Sequence, residues 1–328
     1  MSDKIKSKKI KDMKISLPSK SAFPIETKKN MIKLNTLLLA VGRKGTGKNA
    51  SVCSLIKMLC DDGVLDEVVV ATPTYESNKD YFLQFGSAFD PENNIILPSK
   101  DTATMIESFV QGVADYYNDY IKQMKEYQEL KKRVKSGISD EDIDMYYQME
   151  LLNESGMIIK PEYKYKNKPP RVFALVDDSI GTDTFIGNGA KKMVSLALTH
   201  RHLGKFVDHK GEDQVLGCSL ALLTQSLKTQ QGGIPRAIRE NCSCVILVGK
   251  TNDEKMNHTI WEELASFIEE EEFMKIWDYA TKDSIHDFLM IDLAPKCNLK
   301  TFRKNFDEFL IPPNTKCKCK KPEDKLIK

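Results

Sequence analysis

The feature that most constrains this chain is a short run, apolar from Leu37 to Val41, that breaks into Gly42-Arg-Lys-Gly-Thr-Gly-Lys-Asn49. A segment with no polar alternation suits a strand buried on both faces, inside a parallel sheet. The residues that follow, 48–60 (KNASVCSLIKMLC), place Val52, Leu55, Ile56 and Leu59 on one helical face, and Gly63 closes that helix. Between strand and helix lies the G-x-x-x-x-G-K core of a Walker A loop. Its glycines let successive backbone N–H groups turn toward one anion, and the helix N-terminus adds partial positive charge. Gly42, Arg43, Lys44, Gly45, Thr46, Gly47, Lys48 and Asn49 are therefore candidates to bind the phosphates of ATP, with Lys48 reaching the β- and γ-phosphates. The last position normally carries Ser or Thr, whose hydroxyl ligates Mg²⁺. Here it is Asn49, whose amide oxygen can also take Mg²⁺ but sits one atom further out. Ser51 points off at about 200° around the helix and is a poor substitute. The loop thus supports nucleotide binding better than it supports hydrolysis.

A second apolar run, Arg171-Val-Phe-Ala-Leu-Val-Asp-Asp178, ends in two acids, as a Walker B strand does. In that role Asp177 holds Mg²⁺ and Asp178 polarises the attacking water. The plainer alternative is that they cap the next helix. Further strands are expected at Val64–Thr72, Leu216–Thr224 and Cys244–Val248. With helical stretches between them, they argue for an α/β fold with a mostly parallel sheet flanked by helices. Gln225, just past the Leu220–Thr224 run, is placed to sense a γ-phosphate or position water; simple strand capping is the alternative. Arg236 and Arg239 share a helical face, where one could reach a neighbouring subunit's nucleotide as an arginine finger, or form only a surface salt bridge. His200, Arg201 and His202 have no metal-ligand spacing; basic residues facing DNA, or a second finger candidate, fit them better.

Net charge is only +2 over 328 residues, but it is unevenly spread. Residues 1–34 carry +7 and residues 296–328 carry +6, leaving the body at −11. The expected organisation is a basic flexible N-terminal tail (1–34), a nucleotide-binding domain (35–295) and a basic C-terminal tail (296–328). Within the domain, the Tyr-, Lys- and acid-rich stretch 115–168 is expected as a helical insertion turning near Gly137, either solvated or a contact surface. Basic tails attract polyanions, though they also simply solubilise. No apolar run approaches the roughly 20 residues of a membrane helix, and the N-terminus is too polar for a signal peptide. A secreted or membrane-spanning chain is therefore not expected. None of the eight cysteines forms a C-x-x-C pair. Thiols in a reducing compartment are expected, with a metal site at the lysine-flanked Cys317/Cys319 pair as the alternative.

The motifs, in order, resemble those of the FtsK/HerA-type ATPases, and among them the poxvirus-type genome-packaging ATPases of large double-stranded DNA viruses. The resemblance rests on Val41–Lys48, Leu175–Asp178, Leu198-Thr-His-Arg-His-Leu203, Leu223-Thr-Gln-Ser226 and Pro235-Arg-Ala-Ile-Arg-Glu-Asn-Cys242, and covers about residues 32–250. It implies a P-loop NTPase core of the ASCE/RecA-like type with a helical insertion, assembling as a homo-oligomeric ring that hydrolyses ATP with Mg²⁺. It also implies double-stranded DNA as the load, capsid or portal-vertex proteins as partners, and the host cytoplasm, at the virus factory, with the virion as a second location. The cysteines alone would equally suit a nucleus. Carried over, Lys48 binds phosphate, Asn49 and Asp177 serve Mg²⁺, Asp178 activates water, Gln225 is the sensor and Arg239 the finger. Two other readings stay open: a different P-loop enzyme, such as a nucleoside kinase or conjugation-type ATPase, and a nucleotide-binding scaffold that lost turnover through Asn49.

Overall fold

The structure is a computed structural model. It describes residues 25–317 apart from 26, 29, 138–142, 147–150, 154–156, 166–167, 228–232, 251–252, 296 and 314. The outer part of each expected tail (1–24 and 318–328) lies outside the described residues.

Six strands run parallel: β1 (Leu37–Gly42), β2 (Glu67–Ala71), β3 (Ile95–Ile96), β4 (Val172–Val176), β7 (Cys218–Thr224) and β8 (Cys244–Val248). Their order is β8-β1-β7-β4-β2-β3. β7 thus separates β1 from β4, pairing Leu37 with Leu220 on one side and Val172 with Cys218 on the other. Every residue of β1, β4, β7 and β8 is buried, in keeping with their largely apolar sequences. Alternate residues feed opposite layers. Leu37, Leu39 and Val41 face one core, while Leu38 and Ala40 face the other. Helices α1 (Lys48–Asp61) and α2 (Tyr75–Leu83) cover the second face. Helices α3 (Thr102–Ser136), α4 (Gly187–Thr199), α5 (Arg236–Asn241), α6 (Glu254–Leu264) and α7 (Glu270–Ala280) cover the first. A two-stranded ribbon, β5 (Lys205–Val207) with β6 (Asp213–Val215), projects from the segment before β7.

The insertion begins earlier and is better anchored than its composition suggests. α3 is one helix of 35 residues, about 50 Å long. Its first half, through Ile106, Val110, Val113 and Ala114, is part of the core. Its far end carries a small separate cluster of Leu130, Tyr146 and Leu152. At the root the tyrosines pack on one another: Tyr120 stacks on Tyr163 at 4.0 Å and Tyr117 meets Phe206 edge-on at 5.2 Å. The returning chain is fastened to β2 through buried Glu67, which accepts hydrogen bonds from Lys164 (2.5 Å), Tyr165 Oη (2.5 Å) and Asn94 (3.0 Å).

Both domain boundaries need correction. The sheet continues past β8 with three antiparallel strands, β9 (Phe288–Asp292), β10 (Phe302–Lys304) and β11 (Glu308–Leu310). Residues 298–310, expected in a basic tail, are folded. Phe302 and Leu310 enter the first core. Of the positive charges assigned to that tail, Lys300 and Arg303 are buried, with Arg303 stacked 4.7 Å over Phe309. Lys304 pairs with Asp283 and Asp287. At the other end, Ile25 bridges Leu34 antiparallel, and Ile32 and Leu34 are buried. Arg303 donates to the Asn30 carbonyl, and Lys300 to its side chain at 3.4 Å. The two segments that lead into the basic ends therefore lie against one another.

Truncation after Pro295 should expose the edge of β9 and remove Phe302, whose loss alone is worth about 3–5 kcal/mol. We expect that truncated chain to be insoluble or to melt far below the full chain in calorimetry. An unchanged melting temperature would restore the boundary read from the sequence.

Candidate functional site

The site lies at the carboxyl ends of β1, β7 and β4, where open α/β sheets leave a crevice. Because these strands are wholly buried and mostly apolar, the polar residues that follow them collect together at that edge. After Gly42 the loop turns on Gly45 and Gly47, with φ of +82° and +92°, a region an L side chain rarely adopts. Thr46 ties the turn by donating its hydroxyl to the Arg43 carbonyl at 2.8 Å. Gly47 caps α1 with no side-chain hydrogen bond, and the first turn has no acid. The N–H groups at the helix start are thus unclaimed by a capping side chain, as an anion site requires.

Lys48 is buried, with Nζ 4.0 Å from Asp178 Oδ1. Burial pushes its pKa down, while Asp177 and Asp178 pull it back up. Asp177 is fully buried at the end of β4. Burial raises its pKa to about 6, helped by the neighbouring charge of Asp178 and opposed by Lys48 and Asn49. Asn49 Nδ2 donates to Asp177 Oδ2 at 2.7 Å. The departure from Ser or Thr therefore has a defined job: the amide holds the acid in place. Asp177 Oδ1 is buried without a hydrogen-bond partner. An unsatisfied carboxylate oxygen beside a phosphate loop is what a divalent cation needs, so Asp177 fits Mg²⁺, with Asn49 as its positioner. Asp178 has φ +47°, left-handed and unusual for a residue other than glycine. This turn carries the chain away from β4 and leaves the Asp178 carboxylate partly exposed beside Lys48.

Gln225 is exposed just past β7 and lines a small cavity of about 40 Å³ with Gly42, Arg43 and Thr46. A larger open groove of about 890 Å³ adjoins the loop, running from Arg43 and Thr46 past Gly249 and Lys250 to Ile285. His286 closes over the loop: its Nδ1 hydrogen-bonds the Thr46 carbonyl at 3.1 Å, and a Cβ on Gly47 would meet that nitrogen at 3.0 Å. An isolated histidine 240 residues from the loop carries no sequence signal, and the sequence reading missed it.

The arginines fall elsewhere. Arg239 is buried in its own subunit, with Nε 3.1 Å from Glu263 Oε2 and a second bond to the Ile234 carbonyl. That geometry does not fit a finger, which must leave its subunit; Arg236, its side chain 78% exposed and paired only with Glu240 among the contacts on its own helix, is the one presented outward. Arg201 donates to the Asn35 carbonyl at 3.2 Å, at the start of β1 rather than its end. Six strand residues, about 20 Å, separate it from its own phosphate loop. His200 is buried against the Cys218 carbonyl at 2.6 Å, and burial lowers its pKa to about 4. The His-Arg-His segment thus braces the far end of the sheet.

The mostly parallel sheet flanked by helices, with its glycine-rich loop between β1 and α1, is the architecture expected from the sequence. No protein-family model matches the chain, and no curated protein does. Among solved structures, the genome packaging NTPase B204 from Sulfolobus turreted icosahedral virus 2, in complex with ATP-gammaS, aligns with a TM-score of 0.40 and 11% identity. That alignment covers 84% of this chain and 98% of that one. The pCW3 conjugation coupling protein TcpA, in its monomer form with ATPgS, aligns with a TM-score of 0.42 and 16% identity, over 89% of this chain and 71% of that one. Among the described residues, no helix is long and apolar enough to cross a membrane.

Because Asp177 binds its proton more tightly folded than unfolded, its contribution to stability should fall as pH rises from about 4 through about 6. Two pKa units correspond to about 3 kcal/mol. Asp177→Asn should therefore stabilise the nucleotide-free protein at pH 7.5 and change little at pH 4. Urea unfolding at both values checks this; equal destabilisation at both would contradict the burial argument.

Proposed function

We propose that the protein is an ATP-driven translocase of double-stranded DNA that packages a viral genome into a capsid. The ATPase part is carried by one observation: the phosphate loop, Lys48, Asn49, Asp177 and Asp178 converge at the carboxyl ends of β1 and β4, on either side of β7. The phosphates lie in the loop against Lys48, and the nucleoside extends into the groove beside Arg43 and Lys250. Asp177, with its unpartnered Oδ1, would hold Mg²⁺, which would supply charge neutralisation to the phosphates. Asp178, partly exposed and 4.0 Å from Lys48, accepts the proton of the attacking water. Gln225, across the loop, senses the γ-phosphate.

The DNA part is supported by charge. Among the described residues, the segments that precede the two basic ends in sequence meet where Asn30 lies against Lys300 and Arg303. Packaging, as against conjugation-type transfer, is supported by the order of the five motifs. A homo-oligomeric ring is supported by Arg236, exposed and available to a neighbour's nucleotide. Capsid or portal-vertex partners, the host cytoplasm and the virion follow from the same reading. A scaffold without turnover is less favoured, because Asn49 is engaged in orienting Asp177 rather than obstructing the metal position.

Phosphate release, with and without long duplex DNA, tests the reading. Lys48→Ala should abolish turnover. Asp178→Asn, which keeps a residue tolerant of left-handed backbone, should lower kcat at least 100-fold and spare nucleotide binding. DNA should stimulate the wild type, and less so as salt rises. Normal turnover in Lys48→Ala, or none in the wild type with DNA, would overturn the proposal.

The arginines separate by a different pair of readings. Arg239→Ala should cost about 3–5 kcal/mol of stability by stranding Glu263. Arg236→Ala should leave the melting temperature unchanged, remove DNA-stimulated turnover, and regain activity when mixed with Lys48→Ala subunits. Absence of that rescue would argue against a finger at Arg236.

A further inference from the structure

A polyanion is attracted by positive charge that is exposed and not already paired. Many lysines of the folded domain fail that condition. Lys57 pairs with Asp61, Lys168 with Asp66, Lys192 with Asp101, Lys250 with Asp278 and Lys275 with Glu271. The distal half of α3 differs. Residues 122–135 (KQMKEYQELKKRVK) hold six Lys or Arg and two Glu, a net +4 within a body of −11. All six cations are exposed, and among the described residues no ion pair joins any of them to an acid.

Their placement around the helix is uneven. At about 100° per residue, Lys125, Gln128, Lys132 and Lys135 stand roughly 140–220° from Leu130. Leu130 is buried, and packs with Tyr146, Leu152 and half-buried Val134. The lysines therefore occupy the side opposite the returning chain. The two acids fall on the other flank, where Glu126 and Glu129 line a groove of about 460 Å³ with Tyr127 and Ile158. A merely solvated helix commonly mixes signs at i, i+4 on one face; here one side carries cations alone. The stripe runs from Lys125 to Lys135, about 15 Å, a length over which duplex DNA carries about nine phosphates. It is also held in place. The first half of α3 is in the core through Ile106 and Val110, and Tyr120 stacks on Tyr163 at the root.

We infer, on the reading of the chain as a DNA-handling ATPase, that the Lys125, Gln128, Lys132 and Lys135 side of α3 is a backbone-binding surface for duplex DNA. Ammonium groups on this stripe contact phosphate oxygens and read no bases, so binding is independent of sequence. Glu126 and Glu129 repel a polyanion from the groove and confine the duplex to the lysine side. The helix presents this charge already ordered, so little conformational entropy is lost when DNA docks.

The test measures binding of the full chain to labelled duplexes of unrelated sequence, over about 50 to 200 mM salt. Both basic ends are present in every variant, so the differences report on the arm. Lys125→Gln, Lys132→Gln and Lys135→Gln together replace exposed residues by a good helix former and should leave the melting temperature unchanged. They should weaken binding more than tenfold at low salt and flatten the slope of log K against log salt by about 2–3. Removing as many charges from α1, α2 and α7, by Lys57→Gln, Lys79→Gln and Lys275→Gln, should flatten it by less than about 1. Turnover without DNA should be the same in the α3 variant as in the wild type, and its stimulation by DNA should fall. An unchanged slope and undiminished stimulation in the α3 variant would overturn the inference and leave the DNA-handling reading standing. A wild type that binds no duplex would overturn both. Polyglutamate bound as tightly as duplex, and lost in the same variant, would overturn the inference in favour of an acidic protein partner.

Discussion

A carboxylate with no access to water sits at the centre of the candidate site, and the neighbouring groups are arranged around its cost. Asp177 and Asp178 together carry two negative charges, and Lys48 supplies one positive charge between them. Without a further ion the cluster is one charge negative when both acids are ionised, which is why burial drives Asp177 toward its protonated form. A divalent cation would reverse the sign of the cluster and make it attractive to a polyphosphate. Asn49 contributes in another way. Its amide fills one lone pair of Asp177 and leaves the other oxygen unpartnered. The replacement of the usual hydroxyl therefore preserves what the site needs, a carboxylate fixed in orientation with one oxygen to give.

The central sheet was legible in the sequence for a simple reason. Strands buried on both faces are mostly apolar, so β1, β4, β7 and β8 stand out as near-continuous runs, and the polar residues that follow them mark the edge where chemistry collects. The outer strands carry no such mark. β10 is Phe-Arg-Lys and β11 Glu-Phe-Leu, three residues each, with charges that count toward a basic tail in any tally. Charge counting failed there because it is blind to burial. Arg303 lies under Phe309 and Lys304 between two aspartates, so neither offers charge to a distant polyanion.

The arginines and the insertion fail for related reasons. Spacing places Arg236 and Arg239 on one helical face, but three residues of rotation are enough to turn one inward to Glu263 and the other to solvent. The tyrosines of 115–168 read as polar and solvated, because a phenol is counted by its hydroxyl. In the fold their rings form the joint between α3 and the returning chain, and the Tyr165 hydroxyl reaches Glu67. An amphipathic side chain can satisfy both requirements at once. Only the tertiary partner decides which end matters.

The same geometry connects the phosphate loop to the basic corner. His286 hydrogen-bonds Thr46 and stands two residues before β9. β9 pairs with β10, and Arg303 of β10 holds the Asn30 carbonyl. The loop therefore reaches the N-terminal segment through one histidine contact, one strand pair and one arginine contact. The first of these leaves little slack, because a single added carbon at Gly47 would already meet His286 Nδ1 at 3.0 Å. A movement of the loop that displaced Gly47 toward β9 would have to carry His286 with it or break the contact to Thr46. Either change would alter the end of the strand pair that holds Asn30 through Arg303. The path from the phosphate loop to the described N-terminal residues thus runs through the short antiparallel edge of the sheet rather than through its buried parallel centre.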